Sequence, residues 1–208
     1  MEASNLIVRV SGKLHFVGMD LAGRPERPSG WALLKRRTVT VKELYADDEI
    51  FFETLRAKPT LVAIDVPLTL PERGALRKAD RKMQRHGYPV LPPLFPAMKE
   101  LTLRAIRLTE ALRGEQVEVI EVHPASSRKA LQMPLKDWHR IQEIFVEMGL
   151  GGDWEKRPLS SHELDAVTAA ITAHLHIKGK TEGLGDQKEG LIIVPLSAHW
   201  SKYVSTFA

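Results

Sequence analysis

Four acids stand where a carboxylate is costly. "HFVGMDLAG" ends an apolar run on Asp20, "VAIDVPL" sets Asp65 in a second run, and "VEVIEVHPA" sets Glu121 in a third. The fourth, Asp165 in "HELDAVTAA", falls about 100° round from Leu164, at the edge of a helical apolar stripe. An ionised carboxylate taken out of water needs a partner, a proton or a metal. Carboxylates that converge raise one another's pKa unless a cation neutralises them. Oxygen donors without Cys, and with few well-placed His, select Mg²⁺ or Mn²⁺. A pair of such ions clamps the attacking and leaving oxygens of an in-line phosphoryl displacement.

Each acid also has an ordinary explanation. An Asp after a strand is commonly a turn or N-cap residue. Glu121 fits the polar member of an alternating edge strand, and Asp165 a first-turn acid favoured by the helix dipole. Jointly the catalytic reading is stronger, because Asp20 and Asp65 interrupt the two most apolar strands.

A second set of residues points to phosphate. Arg73, Arg77, Arg81 and Arg85 recur every four positions, so a helix there would carry all four along one face, with Lys78, Lys82 and His86 beside them. Such a stripe suits successive backbone phosphates, although charge runs are often only solvated. Arg24 and Arg27 follow Asp20 closely enough to reach a phosphate held at the acids. Tyr88 and Phe95 offer stacking surfaces. His162 lies one turn before Asp165 and reaches the same mouth, whereas His123, before Pro124, reads as structural. His174 and His176 are two apart on a helix and do not form a zinc pair. No phosphate-cradling Walker loop is present.

The elements that must position these groups follow from periodicity and turn residues. "LIVRV" (6–10), "KLHFVGM" (13–19), "WALLKRR" and "TVTVKELY" read as strands of an antiparallel meander. A short helix over 47–58 precedes "TLVAIDVPL", a run apolar enough for a central parallel strand. A helix is expected from Pro71 toward Gly87, then the proline-rich "YPVLPPLFP", then a strong helix ending at Gly114. "VEVIEVH" is a strand stopped by Pro124, followed by helices near 125–132 and 137–148. Ser160 and Glu163 form a capping box for the last helix. "GKTEGLGDQKEG" reads as a flexible loop and "LIIVPL" as a final strand whose Pro195 suits an edge. The order predicts an α/β protein with a mixed sheet and helices on both faces.

The 208 residues suffice for one sizeable core. The absence of Cys excludes disulfides, thiolate metal sites and a cysteine nucleophile. A net charge of +4 permits an anionic partner without demanding one. No apolar run reaches the roughly 20 residues of a membrane span. "MEASNLIVRV" lacks the basic and small-residue marks of a signal peptide, so a cytoplasmic protein is expected.

"VGMDLAG" followed by "SGWALL" resembles the first hairpin of the ribonuclease-H-like superfamily. With "VAIDVPL", "HGYPVLPPLFPAM", "VIEVHPASSRKAL" and "HELDAVTAA", the chain from about residue 15 to 196 resembles family 429 of the domains of unknown function, described as predicted nucleases of that fold. The resemblance implies Asp20 as the first-strand metal ligand, Asp65 as the ligand on the adjacent fourth strand, and Asp165 as the C-terminal helix acid, as in Holliday-junction resolvases of the superfamily. Glu121 occupies no standard ligand position there. It is either a fourth acid of this family or a residue holding His123 or a basic side chain.

The expectation is therefore a single ribonuclease-H-like domain over 1–208, with a helical and proline-rich insertion around 71–113. Its expected activity is metal-dependent hydrolysis of phosphodiesters in DNA or RNA. Asp20, Asp65 and Asp165 would hold the ions, Glu121 would assist, and Arg24, Arg73, Arg77, Arg81 and Arg85 would contact nucleic acid. The alternatives are a nucleotide hydrolase or phosphotransferase on the related actin-like fold, and a non-catalytic nucleic-acid-binding module.

Overall fold

The computed structural model describes residues 14–207, so the strand expected over 6–10 lies outside the described residues. Strands β1 (His15–Asp20), β2 (Ser29–Lys35) and β3 (Thr38–Leu44) form the antiparallel meander. Helix α1 (Asp47–Ala57) then returns the chain, and β4 (Leu61–Ile64) pairs parallel to β1. All four residues of β4 are buried, as the continuous apolar run requires of a strand covered on both faces. Strand β5 (Val119–Val122) lies parallel to β4, and β7 (Gly190–Pro195) parallel to β5. Strand β6 (Thr181–Asp186) closes the far edge, giving the seven-stranded order β3-β2-β1-β4-β5-β7-β6.

Side-chain alternation divides the core in two. Phe16, Leu61, Ala63 and Val122 face one layer, where helix α6 (Ser161–Ile177) lies across the sheet beneath α4 (Pro124–Ala130) and α5 (Trp138–Glu147). Val17, Met19, Val62 and Ile64 face the other, packed by α1 and α3 (Pro96–Gly114). Helix α6 is buried almost all round, and its capping box forms as expected, with Ser160 Oγ accepting from Glu163 N–H and Glu163 accepting from Ser160 N–H.

Three expectations change. The helix sought over 71–87 is shorter: α2 spans only Lys78–Arg85, because Gly74 takes φ +73°, outside the right-handed helix, and Arg77 is the N-cap with extended backbone. The loop over 179–190 is largely strand β6, paired along its length with β7. Pro195 therefore ends an interior strand, and β6 takes the edge. Among the described residues, no helix is long and apolar enough to cross a membrane.

Candidate active site

Pairing register brings two of the acids together. Strands β1 and β4 run parallel with Phe16 level with Leu61 and Met19 level with Ile64. The Asp65 N–H donates to the Met19 carbonyl at 2.9 Å, which carries the ladder one residue further and sets Asp65 beside Asp20. Both follow the alternation of Phe16, Leu61 and Ala63, so both side chains point to the face covered by α6. Asp165 comes down from the second turn of α6, and all three carboxylates interact electrostatically at the carboxyl end of the parallel strands.

Two glycines let the helix come this close. A Cβ on Gly18 would stand 2.1 Å from the Ala166 carbonyl oxygen, and one on Gly30 would stand 2.0 Å from that of His162. The first turns of α6 thus rest on bare backbone of β1 and β2, directly above Asp20 and its partner position Gly30. The loop after Asp20 is pinned by the buried Arg104, which donates to the Ala22 and Tyr45 carbonyls and to Asp47.

The acids differ in their neutralisation. Asp20 accepts from His162 Nδ1 at 2.6 Å, and this bond holds the imidazole pKa above its usual value. Asp165 accepts from Arg128 Nη1 in an ion pair whose guanidinium is only 2% exposed. Burial pushes the Asp165 carboxyl up, and Arg128 opposes that shift. Asp65 accepts no hydrogen bond from any described residue. Burial, then the charges of Asp20 and Asp165, hold its carboxyl well above the usual range. Among the described residues, no three acidic, imidazole or thiol groups are placed so that they could hold a metal ion as they stand.

Glu121 borders the same cleft as Asp20 and Asp65, and its charge adds to the upward push on Asp65, but its side chain leaves by the other face of the sheet. Its register partner is Ile64, one residue short of Asp65, and in a sheet that offset turns its side chain to the opposite face. There it is clasped by Arg77, whose Nη1 and Nη2 donate to its two oxygens at 2.7 and 2.6 Å, while Leu68 N–H donates at 2.9 Å. Arg77 also bonds Asp80 and is fully buried. It is thus the basic side chain that Glu121 holds, and it faces inward instead of joining a surface stripe. Arg24, Arg73, Arg81 and Arg85 are exposed. Lys78 and Lys82 are drawn to Asp186 and the Gly185 carbonyl, tying α2 to β6.

A cleft of about 380 Å³ opens from Asp20 and Asp65 toward the segment 89–101. Val66, Pro89, Val90, Leu91 and Met98 wall it, and His123 lines it. His123 Nδ1 bonds Ser126 Oγ at 2.6 Å, and burial lowers its pKa to about 4, so its ring is neutral near pH 7. Arg128 was not legible as a site residue. It lies in "HPASSRKAL" among small residues, and only the crossing of α4 over α6 brings it to Asp165.

A mixed sheet with a parallel centre, flanking helices and acids at its carboxyl edge defines an α/β protein of ribonuclease-H-like fold. One solved structure bears this out. RuvC of T. thermophilus in complex with Holliday junction substrate superposes with a TM-score of 0.51 at 15% identity, covering 80% of this chain and 96% of that one. A second Thermus thermophilus RuvC structure gives 0.45 at 13%, covering 80% and 97%. The nuclease domain of the large terminase subunit gp2 of bacterial virus Sf6 gives 0.34 at 10%, covering 95% and 88%. Within that class the chain belongs to the family "Protein of unknown function (DUF429)", whose profile matches residues 18–137. No curated protein matches the chain.

Proposed function

We propose that this protein is a divalent-metal-dependent phosphodiester hydrolase acting on nucleic acid. The observation that carries the reading is Asp65: a carboxylate with no hydrogen-bond donor among the described residues, set beside Asp20 by strand register and faced by Asp165. A group so placed calls for a cation, and an all-oxygen donor set fits Mg²⁺ or Mn²⁺. Asp20, Asp65 and Asp165 would hold it. When bound, the ion supplies Lewis acidity to the phosphate and lowers the pKa of the attacking water.

The chain's own groups complete the site. An entering cation competes with His162 for Asp20 and with Arg128 for Asp165. His162, half-exposed at the rim, holds a proton beside Asp20. The neutral His123 and the aliphatic wall of the cleft offer a weakly polar surface to the sugar or base next to the scissile phosphate. Glu121 is a positioning residue in this reading, fixing Arg77 and through it the entry to α2. The exposed Arg24, Arg73, Arg81 and Arg85 contact phosphates outside the cleft.

Labelled single-stranded, duplex and branched DNA and RNA, incubated with Mg²⁺ or Mn²⁺, test the activity. Cleavage by wild type that is lost in both Asp20→Asn and Asp65→Asn is the expected result. Equal cleavage by the variants would sink the proposal. A second reading has one observation in its favour: Arg128 and His162 already neutralise two of the three acids. On that reading the protein binds nucleic acid without cutting it, and salt-sensitive binding survives loss of the acids.

A further inference from the structure

The cleft beside Asp20 and Asp65 has an aliphatic wall drawn from two parts of the core. Val66 and Leu101 reach it from the cluster packed by α1 and α3, and Val90 and Ile192 from a third cluster that joins α2 to β6 and β7. Leu91 lines it while 58% exposed, so an apolar surface there awaits a cover. The chain leading into this wall is anchored. Tyr88 N–H donates to the Met83 carbonyl, and Lys129 Nζ donates to the Gly87 carbonyl and stands 5.5 Å from the Tyr88 ring centroid. The wall is therefore formed before a ligand arrives, which lowers the cost of binding one.

Its polar groups are few. Arg77 is the one guanidinium in the lining among the described residues, and it is committed to Glu121 and Asp80. A phosphate inside the cleft would thus meet no free cation. His123 offers something else: Nδ1 is taken by Ser126 Oγ, whereas Nε2 bonds to no described residue and is left to a ligand. Burial keeps the ring neutral near pH 7, and a neutral imidazole suits an uncharged donor or acceptor. An apolar wall with one neutral hydrogen-bonding group fits a flat, uncharged heterocycle. From this arrangement we infer that the cleft takes one unpaired nucleobase, and that the strand is cut beside a nucleotide that has left its stack. At about 380 Å³ the cleft lies near the small end of ligand pockets, which run from roughly 300 to 1,000 Å³. A base paired within a duplex cannot enter such a recess until it is unstacked and turned out. Duplex further along the strand can still lie on the exposed arginines. The inference rests on the proposed hydrolase reading for the phosphate and adds to it the substrate class.

Nuclear magnetic resonance of the full chain carrying ¹³C-methyl methionine reads the cleft without metal or activity, because Met98 lines it. The Met98 signal is assigned by its loss in Met98→Leu. Adenosine, guanosine, cytidine and thymidine serve as uncharged probes. At least one should move that methyl saturably at about millimolar concentration, the weak binding expected of a fragment. His123→Ala should weaken the response about tenfold, the loss of one hydrogen bond. Leu91→Asp should abolish it, and its exposed position leaves the core untouched, so it decides alone should His123→Ala fail to fold. A Met98 methyl moved by no nucleoside, or moved equally in Leu91→Asp, would overturn the inference and leave the hydrolase reading to its own test. With Mn²⁺ present, a duplex with one bulged nucleotide should be cut beside the bulge at least about tenfold faster than the fully paired duplex. Equal rates would overturn the inference while establishing the activity. Nucleoside binding by a protein that cuts no nucleic acid would keep the ligand of the cleft and end the hydrolase reading.

Discussion

Asp65 stands beside Asp20 because its own N–H continues the parallel ladder onto Met19, so two like charges share one face of adjacent strands. In the metal-free protein this contact opposes folding. Its pH dependence has a definite sign. The folded Asp65 carboxyl titrates above the unfolded value of about 4. Between those two values the folded state binds more protons, so stability falls as pH rises through the window and then levels. Melting in chelator should thus show wild type gaining stability as pH drops toward about 4. Asp65→Asn, which cannot ionise, should be the more stable protein at pH 7 by roughly 1 kcal/mol or more, since each pKa unit is worth about 1.4 kcal/mol, and should lose most of that slope. A variant less stable than wild type at pH 7 would mean that Asp65 is compensated already.

Gly18 governs whether Asp165 reaches the other acids. An alanine there drives its Cβ into the α6 backbone at 2.1 and 2.3 Å, against the Ala166 carbonyl and the Ala170 N–H. Neither atom is the end of a flexible side chain, so the helix itself must lift. Gly18→Ala should cost about 3 kcal/mol, the upper part of the overpacking range, and should weaken Mn²⁺ binding although no ligand has changed. Chemical denaturation and calorimetry on the same sample check both. Unchanged affinity in a destabilised protein would separate the helix position from the site.

Part of the geometry of this candidate site was legible in the sequence, for identifiable reasons. Asp20 and Asp65 drew notice because each interrupts an apolar run, where an ionised carboxylate is costly, and the Ser160–Glu163 box marked where α6 begins. Glu121 carried the same local signal, yet its face depends on register, and register is a property of the assembled sheet. The stripe of four arginines failed at Arg77 for a related reason. A four-residue spacing means one face only inside a helix, and α2 starts one residue later. Strand β6 was hidden by its two glycines and charged residues, which it tolerates because it is an edge strand stabilised by β7. Arg128 gave no signal, because its partner is 37 residues away in the chain.

The Arg77–Glu121 pair makes a separate claim about stability. Both side chains are buried, with Arg77 at 0% and Glu121 at 6% exposure, and losing Glu121 leaves the buried guanidinium with Asp80 alone as its counter-charge. Glu121→Ala should cost roughly 3–5 kcal/mol, the range for breaking a buried pair, and should loosen α2 without removing a metal ligand. Mn²⁺ affinity at a temperature where the variant is folded should stay within a few-fold of wild type. A loss of affinity comparable to that of Asp65→Asn would return Glu121 to the ligand set.

The exposed arginines are tested by salt. Each phosphate contact that releases a counterion from a duplex contributes about 0.9 to the slope of log affinity against log salt concentration. Arg81 and Arg85 are exposed on α2, with the Arg81 guanidinium bonded only to the Leu76 carbonyl among the described residues. Arg81→Ala and Arg85→Ala should therefore each lower the slope by about 1 while leaving the melting temperature nearly unchanged. Arg77→Lys is the control that distinguishes surface from interior, because its guanidinium is committed to Glu121 and Asp80. It should lower the melting temperature and leave the slope alone. If Arg77→Lys changed the slope and the other two did not, nucleic acid would be reaching the cleft by a path through the Arg77–Glu121 pair, and the outer surface of α2 would have no part in binding.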